Sequence, residues 1–325
     1  MRKTWLFVCS LFFIGTIAQA QNNLLSGLEQ PILFEGDAQN AFRDPAVVYH
    51  DGVFHLYFTW VEIQDDGKIF SYTAQSRSQD LKNWSEPEKI TPKGDRLNYS
   101  SPGNVIRFGK EWILCLQTYP RPGYTQADIP RYGDDSARIF IMRSKDLKHW
   151  SAPELLRVKG DDVPESEMGR MIDPYLIEDK DEPGKYWCFY KQNGVSMSWS
   201  NDLQHWTYAG HTESGENVTV LVEDDTYLLV HSPHNGIAMK RSNDLQQWEA
   251  FGSLIILGQS EWPWAQGRIT AATIVNMKNE PTLGKYLMFF HGSGPKDERW
   301  YFDNHSSIGI AWSTDLQNWS WPGKE

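Results

Sequence analysis

The chain has 325 residues, with 42 acidic against 31 basic side chains and a formal net charge of −11. That balance argues against nucleic acid or an anionic membrane as a partner, because both are held through an excess of Lys and Arg. Aromatic residues reach 14%, including 15 Trp, which suits stacking on the apolar faces of sugars and equally suits a fold plugged by tryptophan.

Met1–Ala20 carries Arg2 and Lys3, an apolar stretch from Trp5 to Ile17, and the small-residue end Ala18-Gln19-Ala20. This is the pattern of a signal peptide with its cleavage site. The stretch is too short for a membrane span, so the expectation is a secreted or periplasmic protein without membrane insertion. Residues 21–325 are long enough for one large core, and no Pro/Gly/Ser-rich linker divides them. Cys115 and Cys188 both fall in apolar strand runs; a disulfide is open to them in an oxidising compartment, and two buried thiols are the preferred reading.

A seven-residue unit, Ser-x-Asp-Leu-x-x-Trp, occurs five times, at Ser78–Trp84, Ser144–Trp150, Ser200–Trp206, Ser242–Trp248 and Ser313–Trp319. Irregular spacing of a nearly fixed unit means one module repeated, with insertions gathered in loops. Asp and Ser suit a tight turn closed on nearby backbone N–H groups, with Leu and Trp as its plugs. Two apolar strand-like runs and a third strand precede each copy, and a fourth strand follows, as at Glu86–Thr91 and Glu154–Val158. Four short antiparallel strands repeated five times predict an all-β, five-bladed β-propeller. The fifth unit has only Ser320–Glu325 after its Trp, while Gln30–Phe34 resembles a fourth strand. An N-terminal strand closing the ring is therefore expected, covering an otherwise bare edge.

The first strand of each blade lines the axis, so its opening residues surround one funnel mouth. Those openings place Asp44, Ser101 or Asn104, Asp173, Glu216 and Arg268 there. Three carboxylates converging on one pocket raise at least one pKa, giving a proton donor beside an ionised base. Glycosidic bond cleavage needs that pair, an acid for the leaving oxygen and a carboxylate to activate water or attack. The bland alternative is that each Asp-Pro is only a turn cap.

On these residues the chain resembles the family 43 glycoside hydrolases, and more broadly the five-bladed clan they share with the family 32 fructosidases. The resemblance implies Asp44 in Phe42-Arg43-Asp44-Pro45 as general base, Asp173 in Ile172-Asp173-Pro174 as modulator of the acid, and Glu216 as general acid. The family follows its Glu with Gly-Pro where this chain has Asn217-Val218, so Glu213 and Glu223 stay as alternative acids. Its fifth-blade Gly-His, whose His often helps hold an axial metal, is matched by Gly267-Arg268. No cofactor or metal ligand is therefore assigned, an axial calcium stays open, and Arg268 is read as a contact to a substrate hydroxyl or carboxylate.

Further substrate contacts are expected from Arg43 and Asn104, from Trp60, Trp262 and Trp264 as stacking platforms, and from His231 and His291 at the ends of second strands. The loops Tyr119–Ser136 and Pro295–Asn304 should shape specificity. The leading expectation is a monomeric, inverting glycosidase acting on arabinose-, xylose- or galactose-containing poly- or oligosaccharide. A retaining fructosidase-like enzyme with Asp44 as nucleophile, and a non-catalytic carbohydrate-binding propeller, are the alternatives.

Overall fold

The computed structural model describes residues 23–94, 97, 99–125, 135–294 and 304–324. The Met1–Ala20 segment lies outside the described residues, as do most of the two long loops expected to shape specificity. The architecture is all-β. Among the described residues helix is confined to three 3-10 turns at Leu24–Gly27, Glu165–Glu167 and Pro263–Ala265.

β1 (Ile32–Phe34) comes first. β2 (Asn40–His50), β3 (Val53–Ile63), β4 (Ile69–Ser78) and β5 (Glu88–Lys89) form an antiparallel group, and β6 (Tyr99–Phe108), β7 (Glu111–Tyr119), β8 (Arg138–Ser144) and β9 (Glu154–Leu155) form the next. One parallel bridge, Ser71 to Tyr99, joins these two groups into a single sheet. β10 (Ile172–Glu178), β11 (Tyr186–Lys191), β12 (Val195–Ser200) and β13 (Thr207–Thr212) make a separate four-stranded sheet. So do β14 (Glu216–Glu223), β15 (Thr226–Ser232), β16 (Ile237–Ser242) and β17 (Glu249–Ile255). The last sheet contains β18 (Arg268–Met277), β19 (Lys285–Ser293) and β20 (Ser307–Ser313). β1 and β21 (Trp319–Ser320) share the outer edge of β20, with Ile32 opposite Gly309 and Trp319 opposite Ser313. The N- and C-terminal segments thus cover successive stretches of an edge that would otherwise be bare.

The second strands show why the sheets stack. β3 carries Phe54, Leu56, Tyr57 and Phe58 within five positions, all fully buried, so both of its faces are covered and strict alternation is lost. Core clusters lie between groups rather than within them. Ile113, Cys115 and Ile141 pack with Leu176, Cys188 and Tyr190, where both cysteines are free thiols and burial pushes the Cys115 thiol up. Phe54 and Leu81 pack with Leu287, Phe289 and Trp312, bringing the first group onto the last. None of the sheets closes on itself. The first strands instead pack in succession, β2 on β6, β6 on β10, β10 on β14 and β14 on β18, and β18 also packs on β2.

Each repeat unit is the turn its residue types dictate. In the second copy, Asp146 Oδ1 accepts the N–H groups of Lys148 and His149 at 2.9 Å each, and Ser144 Oγ accepts that of Leu147 at 2.9 Å. The five leucines, 81, 147, 203, 245 and 316, all sit in left-handed backbone at φ 58° to 66°. That conformation costs a non-glycine residue about 1–3 kcal/mol. Every one of these leucines is buried, and burying a Leu side chain contributes about 1.5–3 kcal/mol, so docking offsets the strain.

Candidate active site

The first strands open with a shared backbone device. Asp44 and Pro45 together oppose the single residue Phe58, a β-bulge between the pairs Arg43–Thr59 and Ala46–Tyr57. The same two-against-one register places Asp173-Pro174 in β10, Asn217-Val218 in β14 and Ala271-Ala272 in β18. The leading residue of each has positive φ, 49° at Asp44, 50° at Asp173, 52° at Asn217 and 53° at Ala271. Asp and Asn tolerate that region better than most residues, and bulges re-aim side chains beside active sites. The sequence expectation that Glu216 and Arg268 stand level with the two aspartates is corrected here. Asn217 and Ala271 take those places, with Glu216 one residue earlier and Arg268 three.

Side chains from second strands of adjacent groups hold the bulges. The Asp44 N–H donates to His291 Nδ1 at 3.1 Å, the Asp173 N–H to Gln117 Oε1, and the Ala271 N–H to Ser232 Oγ at 2.9 Å. The Asn217 N–H goes instead to Asp173 Oδ2, at 3.0 Å. In β6, Gly103 occupies the bulge, and a Cβ there would stand 1.8 Å from the Pro174 carbonyl oxygen. Only glycine permits that approach of β6 to β10.

Asp44, Asp173 and Asn217 line one axial cavity of about 20 Å³, shared with Gly103, Ala271 and Thr273. A space of that size holds about one water molecule. Larger grooves lie at the repeat turns, but none of the three acids lines them.

The electrostatics of the two aspartates diverge. Burial opposes ionisation of Asp44, yet Arg43, His291 and hydrogen bonds from Thr59 (2.8 Å) and Ser101 (3.1 Å) hold it below the usual carboxylate range. His291 is itself pushed down to about 3, first by burial, so it is neutral at physiological pH and Arg43 is the cation that counts. Asp173 is pushed up to about 7 by burial and by repulsion from Glu216 and Asp44, against the opposing pull of the Asn217 N–H and Arg170. Glu216 is more open, with 44% of its side chain exposed, and its Oε2 lies 3.5 Å from Arg268 Nη2.

Other expected contacts divide. Arg43 is buried and donates to the Tyr99 hydroxyl at 3.0 Å, beside Asp44. Arg268 Nε also donates to the His234 carbonyl at 3.0 Å. His231 accepts the Gly215 N–H at 3.0 Å, and burial brings it down to about 4. Asn104 does not face the mouth as expected. Its amide bonds both the carbonyl and the N–H of Leu176, at 2.7 and 2.8 Å, tying β6 to β10. Trp262 is 9% exposed, stacked on Trp264 at 5.3 Å and edged by Trp321, and Trp264 stacks on Phe290. The pair packs into the core because Gly292 and Gly309 leave room for the Trp264 ring. Trp60 is half-buried, its Nε1 donating to Asn40 and Lys89 lying 4.4 Å from its ring. Glu223 belongs to a surface network with Asn276 and Lys278 at the far end of β14. Gln117, Thr59, Ser232, Arg170 and the Asn217 side chain had no sequence signal, since their partners lie in other strands. Among the described residues, no group of three or more His, Cys, Asp or Glu side chains is arranged to hold a metal ion.

No protein-family model matches the chain, and no curated protein matches its sequence. Solved structures do match. The catalytic domain of a GH62 α-L-arabinofuranosidase from Coprinopsis cinerea is 16% identical, with a TM-score of 0.60 over 87% of this chain and 97% of that one. A family 117 glycoside hydrolase of the marine bacterium Zobellia galactanivorans is 15% identical, with a TM-score of 0.61 over 87% and 88%. A thermostable family 43 glycoside hydrolase is 13% identical, with a TM-score of 0.59 over 85% and 90%. At these identities the likeness is one of fold: this chain shares the all-β architecture of glycoside hydrolases from families 43, 62 and 117.

Proposed function

We propose that the chain is a secreted, monomeric glycoside hydrolase built as a five-bladed propeller, with β1 closing the ring on β20. Its substrates are arabinose-, xylose- or galactose-containing poly- or oligosaccharides. The observation that carries this reading is the pair of aspartates on one cavity, Asp44 held ionised and Asp173 pushed up to about 7. Carboxyl groups driven apart in proton affinity by their surroundings mark an acid–base site.

The chemistry follows as a single displacement. Asp44 takes a proton from a water molecule as that water attacks the anomeric carbon. The leaving oxygen receives a proton on the opposite face, and the configuration inverts. The proton that burial and the repulsion of Glu216 and Asp44 retain on Asp173 passes to the leaving oxygen through Glu216, the more exposed of the two carboxyl groups. Arg268 orients Glu216 and reaches a substrate hydroxyl or carboxylate, and Trp60 flanks the sugar. One observation favours a second reading with Asp173 as the donor: it is the carboxyl raised to about 7, while Arg268 lies against Glu216. Glu216→Gln separates the two. If Glu216 is the donor, substrates with poor leaving groups lose far more rate than activated aryl glycosides.

The direct test is a screen of residues 21–325 against aryl arabinofuranosides, xylosides and galactosides and plant and algal polysaccharides, with product anomers read by proton NMR. Turnover with inversion is expected. Hydrolysis no faster than that of Asp44→Asn across the whole panel would overturn the reading.

A further inference from the structure

We propose that Asn217 is a positioning residue of the axial site, its backbone N–H fixing Asp173 and its side-chain amide fixing the Asp44 carboxylate. The role of Asp44 as base rests on the function proposed above; the tie itself is a property of the folded chain.

Asn217 stands on the β14 bulge at φ 52°, which sends its N–H to Asp173 Oδ2 at 3.0 Å. From the same backbone its Nδ2 reaches Asp44 Oδ1 at 3.4 Å. The amide has one sensible orientation. Thr270 Oγ1 donates to Asn217 Oδ1 at 3.3 Å, so the oxygen is occupied on the β18 side and the NH₂ faces the carboxylate. Flipped, the amide oxygen would confront Asp44 Oδ1, an acceptor against an acceptor.

The Asp44 carboxylate is then held on both oxygens. Oδ2 accepts from Thr59 and Ser101, and Oδ1 accepts from Asn217. The charged and titratable groups facing it are Arg43 from its own strand, His291 from β19 and Asp173 from β10. Behind them, Glu216 and Arg170 act on Asp173, and Arg268 acts on His291. Asn217 is the uncharged donor that touches both aspartates. A carboxylate in its place would add a third acidic group to the cavity, and a β-branched residue would be strained at that φ. Asn supplies both left-handed tolerance and an amide.

The test uses residues 21–325 labelled with ¹³Cγ-aspartate and compares wild type with Asn217→Gly and Asn217→Asp by NMR titration. Glycine keeps the bulge and its N–H but removes the amide, so the Asp44 midpoint should rise while that of Asp173 moves less. Aspartate should raise the Asp44 midpoint further. In hydrolysis, Asn217→Gly should move the acidic limb of the rate profile to higher pH and lower the rate on that limb about three- to tenfold, the equivalent of one hydrogen bond. KM should change little. An Asp44 midpoint unchanged in both variants, or a larger shift at Asp173 than at Asp44 in Asn217→Gly, overturns the proposal. If one variant fails to fold, the other decides. A wild type that hydrolyses nothing in the panel defeats the glycosidase reading, while the titrations still judge Asn217.

Discussion

At the repeat turns, Asp80, Asp146, Asp202, Asp244 and Asp315 each accept N–H groups from residues two and three further along the chain. At the strand starts, Asp44 and Asp173 take their partners from other strands and other sheets. The first arrangement is complete within seven residues and leaves the carboxylate in water, pulled low by its own turn, as the His149 N–H and ring do for Asp146. The second is half-buried, assembled only by the tertiary fold, and includes the repulsion of Glu216. An aspartate satisfied locally makes structure. One satisfied at long range, against a like charge, is available for chemistry.

Asp44→Asn is the severest test of that contrast. It should lower the hydrolytic rate about 10²–10⁴-fold, the usual worth of a general base, while the melting temperature stays within a few degrees. A large loss of stability with modest loss of rate would erase the distinction. Asp146→Ala should do the reverse on a smaller scale, leaving the rate unchanged and reducing stability by about 1 kcal/mol, as the loss of a comparable side-chain cap does. Because Asp146 is lowered on folding, its contribution is present above its unfolded value of about 3.9 and fades as pH falls below it. Denaturation curves of the two proteins should therefore differ most at neutral pH and converge in acid.

The repeat turns were legible because their partners are neighbours in sequence. The second strands were equally so, since apolar runs such as Tyr186–Lys191 and Thr226–Ser232 coincide with β11 and β15. The sequence carries no sign of the bulges themselves, only the Asp-Pro pairs that stand on two of them. Asp44-Pro45 and Asp173-Pro174 announced themselves, whereas Asn217-Val218 and Ala271-Ala272 adopt the same backbone without a marker. For that reason the sequence aligns Arg268, beside a glycine at a strand start, with the aspartates, and the structure sets it three residues earlier. Asn104, Trp262 and Trp264 were misplaced for a related reason. A polar or aromatic side chain near a strand start looks the same whether it faces a ligand or, as Asn104 does, the backbone of the next strand.

The five left-handed leucines also bear on the order in which the chain folds. In an unfolded chain only the local Asp and Ser hydrogen bonds stand against the cost of a leucine in that conformation, about 1–3 kcal/mol. Such a turn is therefore expected to close once its leucine can dock, as Leu203 does among residues of β7, β8, β10 and β11 and Leu245 among those of β11, β12, β14 and β15. The hairpin between β2 and β3 is different. Asp51-Gly52, with both residues at positive φ, is a two-residue turn joining strands that are neighbours in sequence. A unit so built is expected to form its hairpin first and its repeat turn last. Pulse-labelled hydrogen exchange during refolding should protect β2 and β3 around Asp51-Gly52 before the amides of Ser78–Trp84, and the opposite order would refute the sequence of events.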